Sequence, residues 1–197
     1  MRLLLIALAG MVAVAATPSA AWAAENDALK EKLETCLACH GKGGVSETEG
    51  VPSLAGQPSY FTQWQMVFFR SGGRKSEIME PIAASLNNDE IRAIGTYFQG
   101  LAPPKPPTDA DPKPDLTQAG AALTVEKHCA VCHKPSFEGQ QATPRLAAQR
   151  EEVLSKALLD YKAGRRTGTG VAAMPEVATA LSDDEIKLLA HYLSRHP

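Results

Sequence analysis

Cys36-Leu37-Ala38-Cys39-His40 and Cys129-Ala130-Val131-Cys132-His133 hold all four cysteines of this 197-residue chain. Two thiols three positions apart can each add to a vinyl group of one haem, giving two thioether links. The histidine beside the second cysteine then lies under the iron as an axial ligand. The pentapeptide is therefore a c-type haem attachment signature. Other readings of paired cysteines fit less well. A redox-active dithiol needs a β/α context that the flanking sequence lacks. A zinc ribbon pairs two such units across a short loop, and here they lie far apart. Structural disulfides give no reason for a histidine at both equivalent positions.

Working outward, the two motifs mark two similar halves. Pro52-Ser53-Leu54 and Gln57 are matched by Pro144-Arg145-Leu146 and Gln149. Phe69-Arg70-x-Gly72-x-Arg74 is matched by Tyr161-Lys162-x-Gly164-x-Arg166. Further on, Met79, Leu86 and Tyr97 are matched by Met174, Leu181 and Tyr192. One deletion and an insertion near Gly168–Gly170 reconcile these pairs, so the chain reads as an internal duplication. Between the halves runs Pro103-Pro104-Lys105-Pro106-Pro107, continuing to Pro112 and Pro114. Proline fixes φ and removes donors, which predicts an extended, semi-rigid connector. The expected organisation is domain 1 over 25–100, a linker over 101–115 and domain 2 over 116–197.

Each half reads as three helices with long loops. The first runs into the cysteine motif; the second covers about Ser59 to Ser71, and Arg150 to Ala163. The third opens with a capping box at Ser182-Asp183-Asp184-Glu185, and with a looser counterpart at Asn87-Asn88-Asp89-Glu90. Apolar spacing continues through Ile91, Ile94 and Phe98, and through Ile186, Leu189 and Leu193. No alternating strand pattern stands out, so the expected class is all-α. Halves this small and loop-rich fold weakly alone and call for a staple or an apolar guest.

The chain opens with Met1-Arg2, an apolar run from Leu3 to Ala16, and the small-residue site Ala21-Trp22-Ala23. This describes a cleaved secretory signal over 1–23, with cleavage after Ala23 or, as the alternative, Ala24. A membrane anchor is the competing reading, but the run is short and Pro18 interrupts it. Export to the periplasm is the expectation. The formal net charge is −2, and neither half is strongly basic, which excludes a nucleic-acid footprint. The acidic excess falls in the first half, where it either orients docking to a protein partner or is merely a solvated face.

With these residues in view, both halves resemble class I cytochromes c, and the tandem arrangement resembles the diheme cytochrome c4 family. The likeness rests on Gly56-Gln57-Pro58, Phe61, Gln65-Met66, Phe69-Arg70, Gly72, Arg74, Met79 and Leu86-Asn87-Asn88-Asp89-Glu90-Ile91. The second half departs in its middle helix, with Arg150 where Pro58 stands, and keeps Leu181-Ser182-Asp183-Asp184-Glu185-Ile186. The linker is longer and richer in proline than the family suggests. The resemblance implies two covalently bound haem c groups, held by Cys36 and Cys39 and by Cys129 and Cys132. It also implies that the carbonyls of Pro52 and Pro144 accept hydrogen bonds from the ligand histidines.

His40 and His133 are the expected axial ligands on one side of each iron. The sixth ligand is sought among the methionines left after signal removal: Met66, Met79 and Met174. A thioether opposite histidine closes the iron to substrates and raises its potential. Met79 and Met174 hold equivalent loop positions beside Pro81 and Pro175 and are the expected ligands. Met66 falls within an amphipathic helix where the other half has Leu158, so it reads as core filler. His128, His191 and His196 read as surface residues. Arg70, Arg74 and Arg166 either face haem carboxylates or sit exposed at helix ends. The expected function is one-electron transfer in a respiratory chain, between redox partners such as an oxidase, a reductase or a flavoprotein, with docking to membrane complexes. Two alternatives stand beside it. One is a diheme subunit of a redox enzyme such as flavocytochrome c sulfide dehydrogenase; the other is a haem peroxidase, which matched methionines disfavour.

Overall fold

The cysteine motifs sit at the ends of helices, and the rest of each half wraps around them. The structure, a computed structural model, describes residues 18–167 and 173–197. Residues 1–17 of the expected signal and the expected insertion at 168–170 lie outside the described residues. Helix α1 (Pro18–His40) carries the first motif at its C-terminal end. A 3-10 turn (Lys42–Gly44), α2 (Ser59–Ser71), α3 (Met79–Ala84) and α4 (Asn88–Gln99) follow. The second half comprises α5 (Pro114–Glu126), α6 (Ala130–His133), α7 (Glu151–Lys162), α8 (Ala173–Thr179) and α9 (Asp183–Arg195). Among the described residues there is no strand, only isolated bridges at Arg74–Arg166 and Gln140–Thr143. The all-α expectation holds.

Two details depart from the sequence reading. Met79 and Met174 stand in short helices, not in loops. Pro81 and Pro175 fall in the first turns of α3 and α8, where a missing N–H leaves no helical bond unmade. The helix that approaches the second motif is also broken. It ends at Glu126, and His128 takes a left-handed backbone (φ 53°) before α6 begins.

The last helix of each half is the packing hub. Both capping boxes are complete. Asn87 Oδ1 accepts from Glu90 N (2.9 Å) while Asn87 N donates to Glu90 Oε2 (2.8 Å). Ser182 and Glu185 repeat the exchange at 3.1 and 2.7 Å. A basic side chain from the middle helix brackets each start. Arg70 donates to Leu86 O and Asn88 Oδ1, and Lys162 donates to Leu181 O and Asp183 Oδ1. Arg70 is thus the exposed helix-end arginine of the two readings. Apolar faces of α4 (Ile91, Ile94, Phe98) and α9 (Ile186, Leu189, Leu193) then centre two separate cores, one per half. Where α5 crosses α9, Gly120 permits close approach: a Cβ there would stand 2.4 Å from Leu188 O.

The halves meet along a seam that repeats itself. Gln57 Nε2 donates to Arg145 O (2.9 Å) and Gln57 Oε1 accepts from Arg145 N (3.0 Å). Reciprocally, Gln149 Nε2 donates to Ser53 O (2.8 Å) and Gln149 Oε1 accepts from Ser53 N (3.0 Å). Since Ser53 corresponds to Arg145 and Gln57 to Gln149, each half presents the same patch to the other, the signature of pseudo-two-fold contact. Arg74 and its counterpart Arg166 bridge on that axis.

Candidate haem-binding sites

His40 ends α1 and is 7% exposed; its Nδ1 lies 2.8 Å from Pro52 O. His133 ends α6, is 5% exposed, and places Nδ1 2.9 Å from Pro144 O. A carbonyl only accepts, so Nδ1 carries the proton in both rings and Nε2 keeps its lone pair. The proline carbonyls are held by matching turns. Leu54 N and Ala55 N donate to Gly44 O (2.8 and 3.0 Å), and Leu146 N and Ala147 N to Phe137 O (2.8 and 3.2 Å). Burial pushes both imidazoles below the ordinary histidine range, outweighing the carbonyl bonds; for His40 the charge of Arg74 adds to this. The result is a neutral ring with a free nitrogen, the form that binds metal.

All four cysteines are free thiols. Each pair is spaced i, i+3, which puts both sulfurs on one side of the chain's helical turn. Cys36 and Cys129 are half-buried, and burial raises their pKa; Cys39 and Cys132 are exposed. Among the described residues no three His, Cys, Asp or Glu side chains converge to hold a metal ion. Met79 opens α3, half-buried against the first core, with its N–H donating to Ser76 Oγ (3.1 Å). Met174 occupies the matching place in α8, also half-buried. Met66 is 7% exposed within the first core.

At the seam, two guanidiniums lie together. Arg74 stacks on Phe69 (4.6 Å to the centroid) and Arg166 on Tyr161 (4.5 Å). Both donate to one neutral acceptor, Gln65 Oε1, at 2.8 and 2.6 Å. Burial first, then repulsion from Arg166, pushes Arg74 down to about 9. Among the described residues, Arg166 Nε and Arg145 Nε are buried with no hydrogen-bond partner. Such a cluster calls for an anion, and the carboxylates that haem carries would supply the missing acceptors. The residues present therefore fit haem on three counts: free thiols, neutral histidines with an open Nε2, and unpaired buried arginine donors.

One histidine departs from the surface placement that the sequence suggests. His191 is not a surface residue but 3% exposed, with Nδ1 3.0 Å from Glu151 Oε2 and Nε2 3.0 Å from Asp111 Oδ1. His128 is exposed, and His196 is half-buried against Phe137 and Tyr192. The part played by Gln57 and Gln149 at the seam is also not evident from the sequence pattern alone. Their recurrence at equivalent positions was the available signal.

Fold and side chains together define a c-type cytochrome with one haem site in each half. The family model described as "Cytochrome c" matches residues 117–196, and that described as "Cytochrome C oxidase, cbb3-type, subunit III" matches residues 23–98. The "Thiosulfate dehydrogenase electron acceptor" of Stutzerimonas stutzeri is 31% identical over 81% of this chain and 77% of its own length. Cytochrome c4 of Thiocapsa roseopersicina is 32% identical over 80% and 85%. The crystal structure of reduced recombinant cytochrome c4 from Pseudomonas stutzeri superposes with a TM-score of 0.77 at 27% identity, covering 87% of this chain and 98% of that one. The chain belongs to the diheme cytochrome c4 family. It is an electron-transfer cytochrome with two covalently bound haem c groups, a carrier and not an enzyme.

Proposed function

We propose that Cys36 and Cys39 hold the first haem through thioethers, with His40 and Met79 as axial ligands. Cys129, Cys132, His133 and Met174 do the same for the second. We further propose that the protein is exported to the periplasm and works in a respiratory chain, relaying single electrons between redox protein partners. Haem held there would supply a one-electron ferric/ferrous couple. The chain's own part is to fix the ligands. Pro52 and Pro144 orient the imidazoles and hold their protons on Nδ1, and the buried arginines receive carboxylates. The observation that carries this reading is the pair of proline-anchored, neutral histidines, each directly following a free thiol. Among the described residues no helix is long and apolar enough to cross a membrane.

Methionine ligation is tested on the oxidised holoprotein. It should show the sulfur-to-iron charge-transfer band, and Met79→Ala and Met174→Ala should each remove about half of its intensity. A spectrum without that band removes both methionines from the assignment. A second reading concerns the donor. The relative named "Thiosulfate dehydrogenase electron acceptor" supports a thiosulfate-oxidising dehydrogenase as the protein that reduces this chain. Mixing the oxidised protein with such an enzyme and thiosulfate should bleach it to the reduced spectrum within the enzyme's turnover time. Reduction no faster than with thiosulfate alone would leave that donor out.

A further inference from the structure

The seam between the halves does more than join them. The carbonyl that accepts from His40 and the N–H that donates to Gln149 belong to a single peptide unit, Pro52–Ser53. The same holds for His133, the peptide Pro144–Arg145 and Gln57. From these two continuous hydrogen-bond chains we infer that Gln149 tunes the haem of the first half and Gln57 that of the second, each acting across the seam through a proline peptide onto the other half's histidine. The inference rests on His40 and His133 being axial ligands.

The physics gives the sign. An amide whose N–H is engaged by an acceptor has a more negative carbonyl oxygen, so hydrogen bonds in series strengthen one another. A stronger acceptor pulls the proton of Nδ1 harder, making the ring a better donor to iron and favouring the ferric state. The setting amplifies this. Ser53, Gln57 and Gln149 are 2%, 4% and 6% exposed, which shields the Ser53–Gln149 pair from water most, while Pro52, Pro144 and Arg145 are half-buried. Each glutamine is itself locked, because its Nε2 donates back to the carbonyl of the residue it accepts from. The two glutamines are positioning residues: neither reaches the iron, and each acts through a histidine of the other half. The arrangement makes the two potentials properties of the assembled pair rather than of either half.

The experiment is a redox titration of the holoprotein with each haem followed separately by its hyperfine-shifted NMR resonances. Gln149→Leu should raise the first-half midpoint, and Gln57→Leu the second-half midpoint. A roughly three- to tenfold change in the ferric/ferrous ratio corresponds to about 28 to 59 mV at 59 mV per tenfold. The axial-histidine ring signals should move in the half opposite the substitution. Gln149→Glu keeps an acceptor oxygen and, when protonated, a donor, so it should return the first-half midpoint to the wild-type value or below. A midpoint that stays put, falls as water enters a loosened seam, or shifts only in the substituted half overturns the inference. So does a Gln149→Glu midpoint raised as far as that of Gln149→Leu. Absence of axial-histidine signals in the wild type would instead overturn the ligand assignment, which keeps the two failures apart.

Discussion

Sulfur at positions 66, 79 and 174 is chemically the same, and only placement separates filler from candidate ligand. Met66 lies in α2 and belongs to the same buried core as Phe69, Ile91 and Phe98, and the second half uses Leu158 at the matching place. Met66→Leu should therefore cost under about 1.5 kcal/mol, the usual limit for a volume-conserving swap, and leave the sulfur-to-iron band unchanged. Thermal melting and an absorption spectrum of the oxidised holoprotein check both halves of that expectation. A band weakened by Met66→Leu would mean that the wrong methionine had been chosen for the first haem. The Met66–Leu158 mismatch was legible in the sequence because the repeat supplies an internal comparison. His191 was not legible, since the first half has Thr96 there. Its carboxylate neighbours, Asp111 and Glu151, come from 80 and 40 residues away. Nothing local predicts such a meeting.

At the level of helices, what the sequence displayed were the long periodic segments and their starts. Ile91, Ile94 and Phe98 announce the buried face of α4, and the two capping boxes fix where α4 and α9 begin. Helices α3 and α8 were hidden because six or seven residues give no measurable period and because a proline reads as a breaker unless it falls in the first turn. The break at His128 was hidden too, since a single left-handed residue leaves the apolar pattern on either side intact. The crossing of α5 over α9 supplies a test at this scale. Gly120 faces backbone, Leu188 O, along with the Cβ of Tyr192, so rotating a side chain cannot relieve an added methyl. Gly120→Ala should push the helices apart and destabilise the second half by about 1–3 kcal/mol, the usual penalty for overpacking. Its helix propensity gain, at most about 1 kcal/mol, opposes this without reversing it. Urea unfolding of the holoprotein measures the balance; an unchanged midpoint would mean the helices can part freely.

Across the whole molecule the connector matters most, because proline content alone says that it is stiff and not what it lies against. In the structure it lies against both halves. Pro103 fills the space beside Gly56, where a Cβ would come within 2.7 Å of it. Farther along, Asp111 accepts from Lys113 N (2.8 Å), from Thr117 Oγ1 and, across the chain, from buried His191, while Arg195 approaches both Asp109 and Asp111. The hydrogen bonds from Thr117 and Lys113, and then the contact with His191, hold the Asp111 carboxyl at about 2, below its ordinary value of 3.8. Its folded-state pKa being the lower one, the charged form belongs to the folded chain. The contribution is complete above about pH 4 and disappears as the pH falls through about 2. Asp111→Asn should accordingly lower the melting temperature of the holoprotein at pH 7. The gap to wild type should narrow as both are titrated from pH 4 towards pH 2, where the wild-type carboxyl takes up its proton and resembles the amide. A gap that stays constant across that window would show that the shape of the side chain, and not its charge, pins the connector onto the second half.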